Sequence, residues 1–131
     1  MLMAPAWSWE NLKVGAGAPP VRLPYGWLLL YHGVAGERGK NAQSVKYCAG
    51  VAVLDTNDPT HVIYRSAEPL LEPSEDYELK GTVNRVVFPT AVDRLADDRL
   101  HVYYGAADSV IAAFELSVPP ECPFQTQLPK R

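Results

Sequence analysis

The sequence is short of most features that announce a function. Cysteine occurs only twice, at Cys48 and Cys122, so there is neither a metal-binding spacing nor a CxxC redox pair. Cys48 lies in an apolar strand pattern and reads as a buried thiol, and Cys122 lies in a proline-rich tail. Charge of one sign is scarce: the formal net charge is -3 with 21% charged residues, so no basic stripe offers the counterion release that nucleic-acid binding needs. No stretch reaches the ~18 apolar residues of a membrane span, and the opening Met1 to Trp7 lacks a basic segment followed by a long apolar run. The expectation is a cytoplasmic chain with neither nucleic-acid nor membrane partners. Of the three histidines, none stands at zinc-ligand spacing from another, and no cofactor motif is present.

Helical periodicity is also missing. Apolar runs of four to eight residues recur between Gly, Pro, Asn and Asp clusters, and none keeps helical spacing over the ~10 residues a helix needs. An all-β chain is expected, with strands at Val21–Leu23, Trp27–His32, Lys46–Leu54, Val62–Arg65, Arg85–Phe88, Ala91–Arg94, Leu100–Tyr104 and Val110–Leu116. From Ser117 to Arg131 four prolines interrupt any ladder, and this tail is read as an extended strap. The 131 residues suffice for one domain that buries roughly two-thirds of its unfolded surface.

What is present includes an internal echo. Leu28-Leu29-Leu30-Tyr31-His32-Gly33 is matched in form by Leu100-His101-Val102-Tyr103-Tyr104-Gly105, and each is followed by a strand of small apolar residues, Tyr47 to Val53 and Ser109 to Phe114. Strand, polar loop and strand repeated in this way suit the blades of a β-propeller, of which two copies are too few to close a ring. A self-contained β-sandwich is the other reading of the same pattern.

Several residues could carry chemistry. Lys13-Val14-Gly15-Ala16-Gly17-Ala18-Pro19-Pro20 joins a point charge to flexible backbone, but Pro19-Pro20 denies the helix N-terminus that nucleotide loops require. Taken alone, this segment is a turn with a solvated lysine. His32 closes an apolar strand before a Gly-flanked loop, where side chains project from rigid scaffold toward a ligand or simply satisfy a hydrogen bond. Tyr47 opens the next strand, and Asp108 follows small residues that leave room beside its carboxylate, although capping of a turn explains it equally. His61 and His101 are assigned to surface or structure, and Glu72, Glu75, Asp76 and Glu78 to a solvated acidic loop.

In order, these segments match something specific. Trp9 to Pro20, Gly26 to Val34, Ala52 to Asp55 with Asp58-Pro59, Val86-Val87-Phe88-Pro89-Thr90, and Tyr103 to Asp108 together resemble family 130 of the glycoside hydrolases, over about Trp7 to Leu116. The resemblance implies about two blades of a five-bladed propeller spanning residues 1–116, followed by the tail. It implies an inverting phosphorylase of β-mannosides, with inorganic phosphate as co-substrate, no other cofactor and mannose 1-phosphate as product. Some members of the family are hydrolases, and a non-catalytic sugar- or phosphate-binding module is a further alternative. By motif position Lys13, His32 and Tyr47 match residues that hold phosphate, and Asp108 matches one that binds the donor sugar. The family's general acid lies in an earlier blade with phosphate-binding arginines, and nothing here matches it. The chain is therefore expected to be inactive alone and to need the missing N-terminal blades or a homo-oligomer. The apolar strands around Leu28, Leu30, Val51, Val53, Val86, Phe88 and Val110 are expected to leave bare faces. The loop Ala35 to Gln43 is read as bordering the acceptor side. One departure stands out: the family commonly has asparagine just before Val-Val-Phe-Pro, where this chain has Arg85, with Asn84 one place earlier.

Overall fold

The computed structural model describes residues 1–40, 44–96 and 98–122. Among the described residues it is essentially all-β, with a 3-10 turn at Ser8–Glu10 and a helical turn, α1, at Asp76–Leu79. The strands are β1 (Lys13–Ala16), β2 (Val21–Leu23), β3 (Gly26–Ala35), β4 (Lys46–Leu54), β5 (Val62–Arg65), β6 (Val87–Arg94), β7 (Arg99–Ala106) and β8 (Val110–Ser117). They form two antiparallel sheets, β1/β2-β3-β4-β5 and β6-β7-β8. Since β4 runs along one whole edge of β3, from Trp27 to Ala35, β1 and β2 share the other edge and act as one interrupted strand. Pro19 and Pro20, which cannot donate to a ladder, stand in the interruption.

The sheets pack face to face because alternate residues of each are apolar. Leu28 and Val53 meet Leu100 between them, and Ala49 meets Val87, Tyr104 and Ala106. The opposite face of the first sheet is covered by the N-terminal segment, where Trp9 packs on Leu29, Tyr31 and Cys48. The sheets are stitched at a corner by a parallel bridge between Tyr47 and Val86. There the Tyr47 N–H donates to the Arg85 carbonyl at 2.9 Å.

Four expectations are corrected. Lys13–Ala16 is an edge strand rather than a turn, because β3 offers an unpaired edge from Tyr31 to Val34. Arg85–Phe88 and Ala91–Arg94 are not two strands: Val87–Arg94 is continuous, with a bulge between Pro89 and Ala91 that absorbs the proline. The acidic segment is not wholly solvated. Glu78 is buried in α1 and Glu72 pairs with Lys46 at 2.7 Å. Finally, Leu28, Leu30, Val53 and Val86 are not bare, since the chain's own two sheets cover them, whereas Val110 is exposed. Residues 41–43 of the loop read as bordering the acceptor, and residues 123–131 of the tail, lie outside the described residues.

Two buried carboxylates explain how the connections are held. Glu10 accepts from the N–H groups of Ala6 and Trp7 and, at 2.5 Å, from Arg65, which also donates to Tyr31 Oη and the Ala4 carbonyl. The pair ties the N-terminal segment to β5. Glu78 accepts from the N–H groups of Ser74 and Glu75 and, at 2.5 Å, from Tyr104 Oη. Burial pushes this carboxyl up, but the Ser74 N–H, the Tyr104 hydroxyl and the Glu75 N–H outweigh it and hold it below the usual glutamate range. Burial, and after it the same Glu78 contact, raises the Tyr104 phenol.

Candidate functional site

The ladder places Lys13, Val34 and Tyr47 in one row across β1, β3 and β4, and Gly15, His32 and Ala49 in another. Rows of an antiparallel sheet share a face, so three residues distant in sequence converge at one end of the first sheet. The Lys13 ammonium lies 5.6 Å from the centre of the Tyr47 ring. The His32 imidazole lies against two aromatic rings, 5.8 Å from Tyr47 and 4.2 Å from Phe88, at 29° to each. On its remaining side lies Gly15, where any Cβ would come within 2.4 Å of His32 Nε2 and Cε1. A glycine is required there for close approach, not for turning.

His32 is buried and its Nδ1 has no hydrogen-bond partner among the described residues. Burial lowers its pKa from the ordinary histidine value, and the Lys13 charge adds to that, opposed by a hydrogen bond to the Ala16 backbone. Burial and the neighbouring cation thus both disfavour the imidazolium form.

Beside this cluster lies a cleft of about 350 Å³, lined by Tyr47, Val86 and Phe88 and by Val83, Thr90, Gly105 and Asp108. Asp108 reaches it from the β7–β8 turn, where Ala107 and Asp108 both have left-handed backbone, at φ 47° and 52°. Such a turn matches the strand twist but is costly for a residue with a Cβ. Its strain is countered by contacts from below: the Val83 N–H donates to the Ala107 carbonyl, the Ala107 N–H to the Val86 carbonyl, and the Thr82 N–H to Ser109 Oγ. The Val86 N–H is in turn held by the Glu78 carbonyl, so the lip of the cleft rests on α1. Gly105 has open space where a side chain would be, which leaves the cleft floor free.

Of the residues singled out from sequence, Lys13, His32 and Tyr47 come together, and Tyr47 and Asp108 line the same cleft. His61 is exposed in a turn and His101 lies half-buried on β7, 3.9 Å from Glu115. Sequence reasoning missed Phe88, although it stands inside Val-Val-Phe-Pro-Thr, and it missed Glu78, whose only local signal was its place three residues after Glu75. Arg85 adopts a left-handed conformation at φ 59°, its N–H on the Leu79 carbonyl. Asn84 accepts from the Gly81 N–H at 3.1 Å. Among the described residues no group of three His, Cys, Asp or Glu side chains gathers to hold a metal ion.

Comparison with known proteins supplies the family. Residues 2–120 match the glycoside hydrolase 130 family profile, described as beta-1,4-mannooligosaccharide phosphorylase. The chain is 44% identical over 104 residues to a beta-1,2-mannobiose phosphorylase of Thermoanaerobacter sp., covering 79% of this chain and 32% of that protein. It is 39% identical over 112 residues to a beta-1,4-mannooligosaccharide phosphorylase of Ruminococcus albus, covering 85% and 32%. The structure of the Listeria innocua beta-1,2-mannobiose phosphorylase in complex with beta-1,2-mannobiose superposes with a TM-score of 0.74 at 40% identity, over 84% of this chain and 29% of that one. The chain thus spans about a third of the length of the relatives it matches. With a family match across nearly its whole length and an all-β fold shared with a solved member, the chain belongs to glycoside hydrolase family 130.

Proposed function

We propose that this chain supplies the phosphate-holding and donor-sugar side of a β-mannoside phosphorylase site, built on two neighbouring blades of a five-bladed propeller. Lys13, His32 and Tyr47 hold inorganic phosphate, and Asp108 accepts hydroxyls of the mannosyl ring. The observation that carries this reading is the convergence of an ammonium, an imidazole and a phenol from three adjacent strands beside a cleft that also holds a carboxylate. Phosphate needs positive charge and fixed donors, and rigid strand ends supply them without reorganisation. The sugar-facing part is aromatic, apolar and carboxylate, which suits a ring with one apolar face and several hydroxyls.

In an inverting displacement the nucleophile and the acid act on opposite faces of the sugar. This chain's residues serve the nucleophile's side: they would orient phosphate toward the anomeric carbon while Asp108 fixes the ring. Protonation of the leaving sugar falls to a group supplied from elsewhere in the assembled enzyme. General-acid assistance contributes typically about 10²- to 10⁴-fold, so the isolated 131-residue chain is expected to bind without measurable turnover.

Calorimetry with millimolar inorganic phosphate tests the assignment. Weak, saturable binding that is lost in Lys13→Ala is expected, and identical heats for the parent and variant would overturn it.

A further inference from the structure

The Asp108 carboxylate is aimed by its backbone alone. Among the described residues it meets no hydrogen-bond or ion-pair partner, although it lines the cleft. The backbone that carries it is a tight turn from Ala106 to Ser109, closed by the Ser109 N–H on the Ala106 carbonyl at 3.0 Å, with positive φ at both central residues. Hairpins of this kind favour Asn-Gly or Asp-Gly in the middle. Ala107-Asp108 lacks the glycine, so the turn persists only where its surroundings hold it.

The loop between α1 and β6 does the holding. Gly81 lies so close beneath the turn that a Cβ there would come within 2.4 Å of the Ala107 carbonyl oxygen and 2.5 Å of Ser109 Oγ. Ser109 Oγ accepts from the Thr82 N–H at 2.8 Å, lies 3.2 Å from Thr82 Oγ1 and donates to the Ala107 carbonyl at 3.1 Å. The Val83 N–H donates to that same carbonyl at 3.1 Å, and the Val83 side chain lines the cleft. One hydroxyl and one carbonyl, on either side of Asp108, therefore join the two loops. The lower loop is itself closed: the Gly81 N–H donates to Asn84 Oδ1 at 3.1 Å and the Arg85 N–H to the Leu79 carbonyl at 3.2 Å. Asn84 and the Arg85 backbone thus brace it from within.

We propose that Ser109 and Thr82 are positioning residues for Asp108: the Ser109 hydroxyl and the Thr82 N–H lock the turn to the loop below and so fix where the carboxylate meets the hydroxyls of the donor sugar. The proposal rests on the reading of Asp108 as a sugar contact and deepens it. A carboxylate selects among sugars only as far as its oxygens are held in place, since a displaced acceptor serves a differently placed hydroxyl as well as the right one. None of the bonds made by Ser109 Oγ reaches Lys13, His32 or Tyr47, so loosening them should act on the sugar and leave the anion alone.

The test compares Ser109→Ala with Ser109→Thr, which keeps the hydroxyl, in the 131-residue chain. Without ligand, Ser109→Ala should speed hydrogen exchange of the Thr82 amide at least about tenfold and lower the backbone order parameter of Asp108, with Ser109→Thr close to the parent. With methyl β-mannoside as the probe, followed through the amide signals of Gly105 and Asp108, Ser109→Ala should bind several-fold more weakly and lose its preference over methyl β-glucoside, which differs in the placement of one hydroxyl. Sulfate affinity should stay that of the parent. The proposal is overturned if Ser109→Ala is as rigid and as selective as the parent, if it loses sugar and sulfate together, which is loss of folding rather than of aim, or if Ser109→Thr fails to restore binding. Asp108→Asn reports on the underlying reading separately. Should the parent ignore methyl β-mannoside, or Asp108→Asn bind it unchanged, the sugar contact fails, while the ligand-free exchange still decides whether Ser109 holds the turn.

Discussion

The imidazole of His32 lies against the ring of Phe88 with centroids 4.2 Å apart and planes 29° from parallel, so a group on the first sheet is oriented by a ring from the second. An aromatic pair of this kind contributes about 0.5–1.5 kcal/mol beyond area burial. Phe88→Ala should therefore lower phosphate or sulfate affinity several-fold by freeing the imidazole, while Phe88→Tyr should keep most of it. Titration followed through the His32 ring signals checks this, and unchanged affinity in Phe88→Ala would remove Phe88 from the site.

Gly15→Ala is a sharper probe of the same ring. Its Cβ would fall 2.4 Å from Nε2, and the imidazole must move. Since β1 is a four-residue edge strand, the fold should survive with modest loss of stability, but anion binding should be lost. Folding is read by thermal denaturation and binding by calorimetry. Full binding in the folded variant would contradict the geometry.

Because burial and Lys13 depress the His32 pKa, the folded chain binds a proton there less readily than the unfolded chain does. This costs stability as pH falls below the ordinary histidine range, until the folded-state pKa is passed. A bound dianion reverses the preference by favouring the imidazolium. Sulfate, which does not itself titrate near neutrality, should therefore bind more tightly as pH falls from about 7.5 to 6. His32→Gln should flatten that dependence, and calorimetry at three pH values decides it.

Arg85 occupies a left-handed position, φ 59°, where asparagine is much better tolerated. A residue held in such a region costs about 1–3 kcal/mol unless its surroundings compensate. Arg85→Asn should therefore be neutral or stabilising, and Arg85→Val strongly destabilising because its branched side chain resists positive φ. Denaturant midpoints of the two variants against the parent provide the measurement.

Tyr104→Phe removes the donor that meets the buried Glu78 at 2.5 Å. Leaving a buried acceptor short of its partner costs about 1–3 kcal/mol. Since the Glu78 carboxyl is held below the usual glutamate range, its contribution is present above that range and is lost as pH falls through the folded-state value. Glu78→Gln should accordingly destabilise the chain at neutral pH and shrink the acid-side loss of stability. The lip of the cleft rests on this pair, so any binding of a β-mannoside at the proposed site should weaken in both variants, as read by calorimetry.

Local pattern made most of the fold legible. Apolar runs bounded by turn-forming residues are a property of neighbouring residues, and they located Val21–Leu23, Lys46–Leu54 and Val62–Arg65 with the bounds the structure has. Motif order made Lys13, His32, Tyr47 and Asp108 candidates and identified the family. Tertiary structure alone decided what depends on a distant partner. Lys13–Ala16 is a strand because Tyr31 to Val34 offers it an edge, and Gly15 is required because an imidazole on the next strand crosses it. Phe88 joins the site only when the second sheet folds over the first. Glu10 and Glu78 look like surface carboxylates in sequence. They are buried because Arg65 and Tyr104, at separations of 55 and 26 residues, supply the hydrogen bonds without which a buried charge would be too costly to hold.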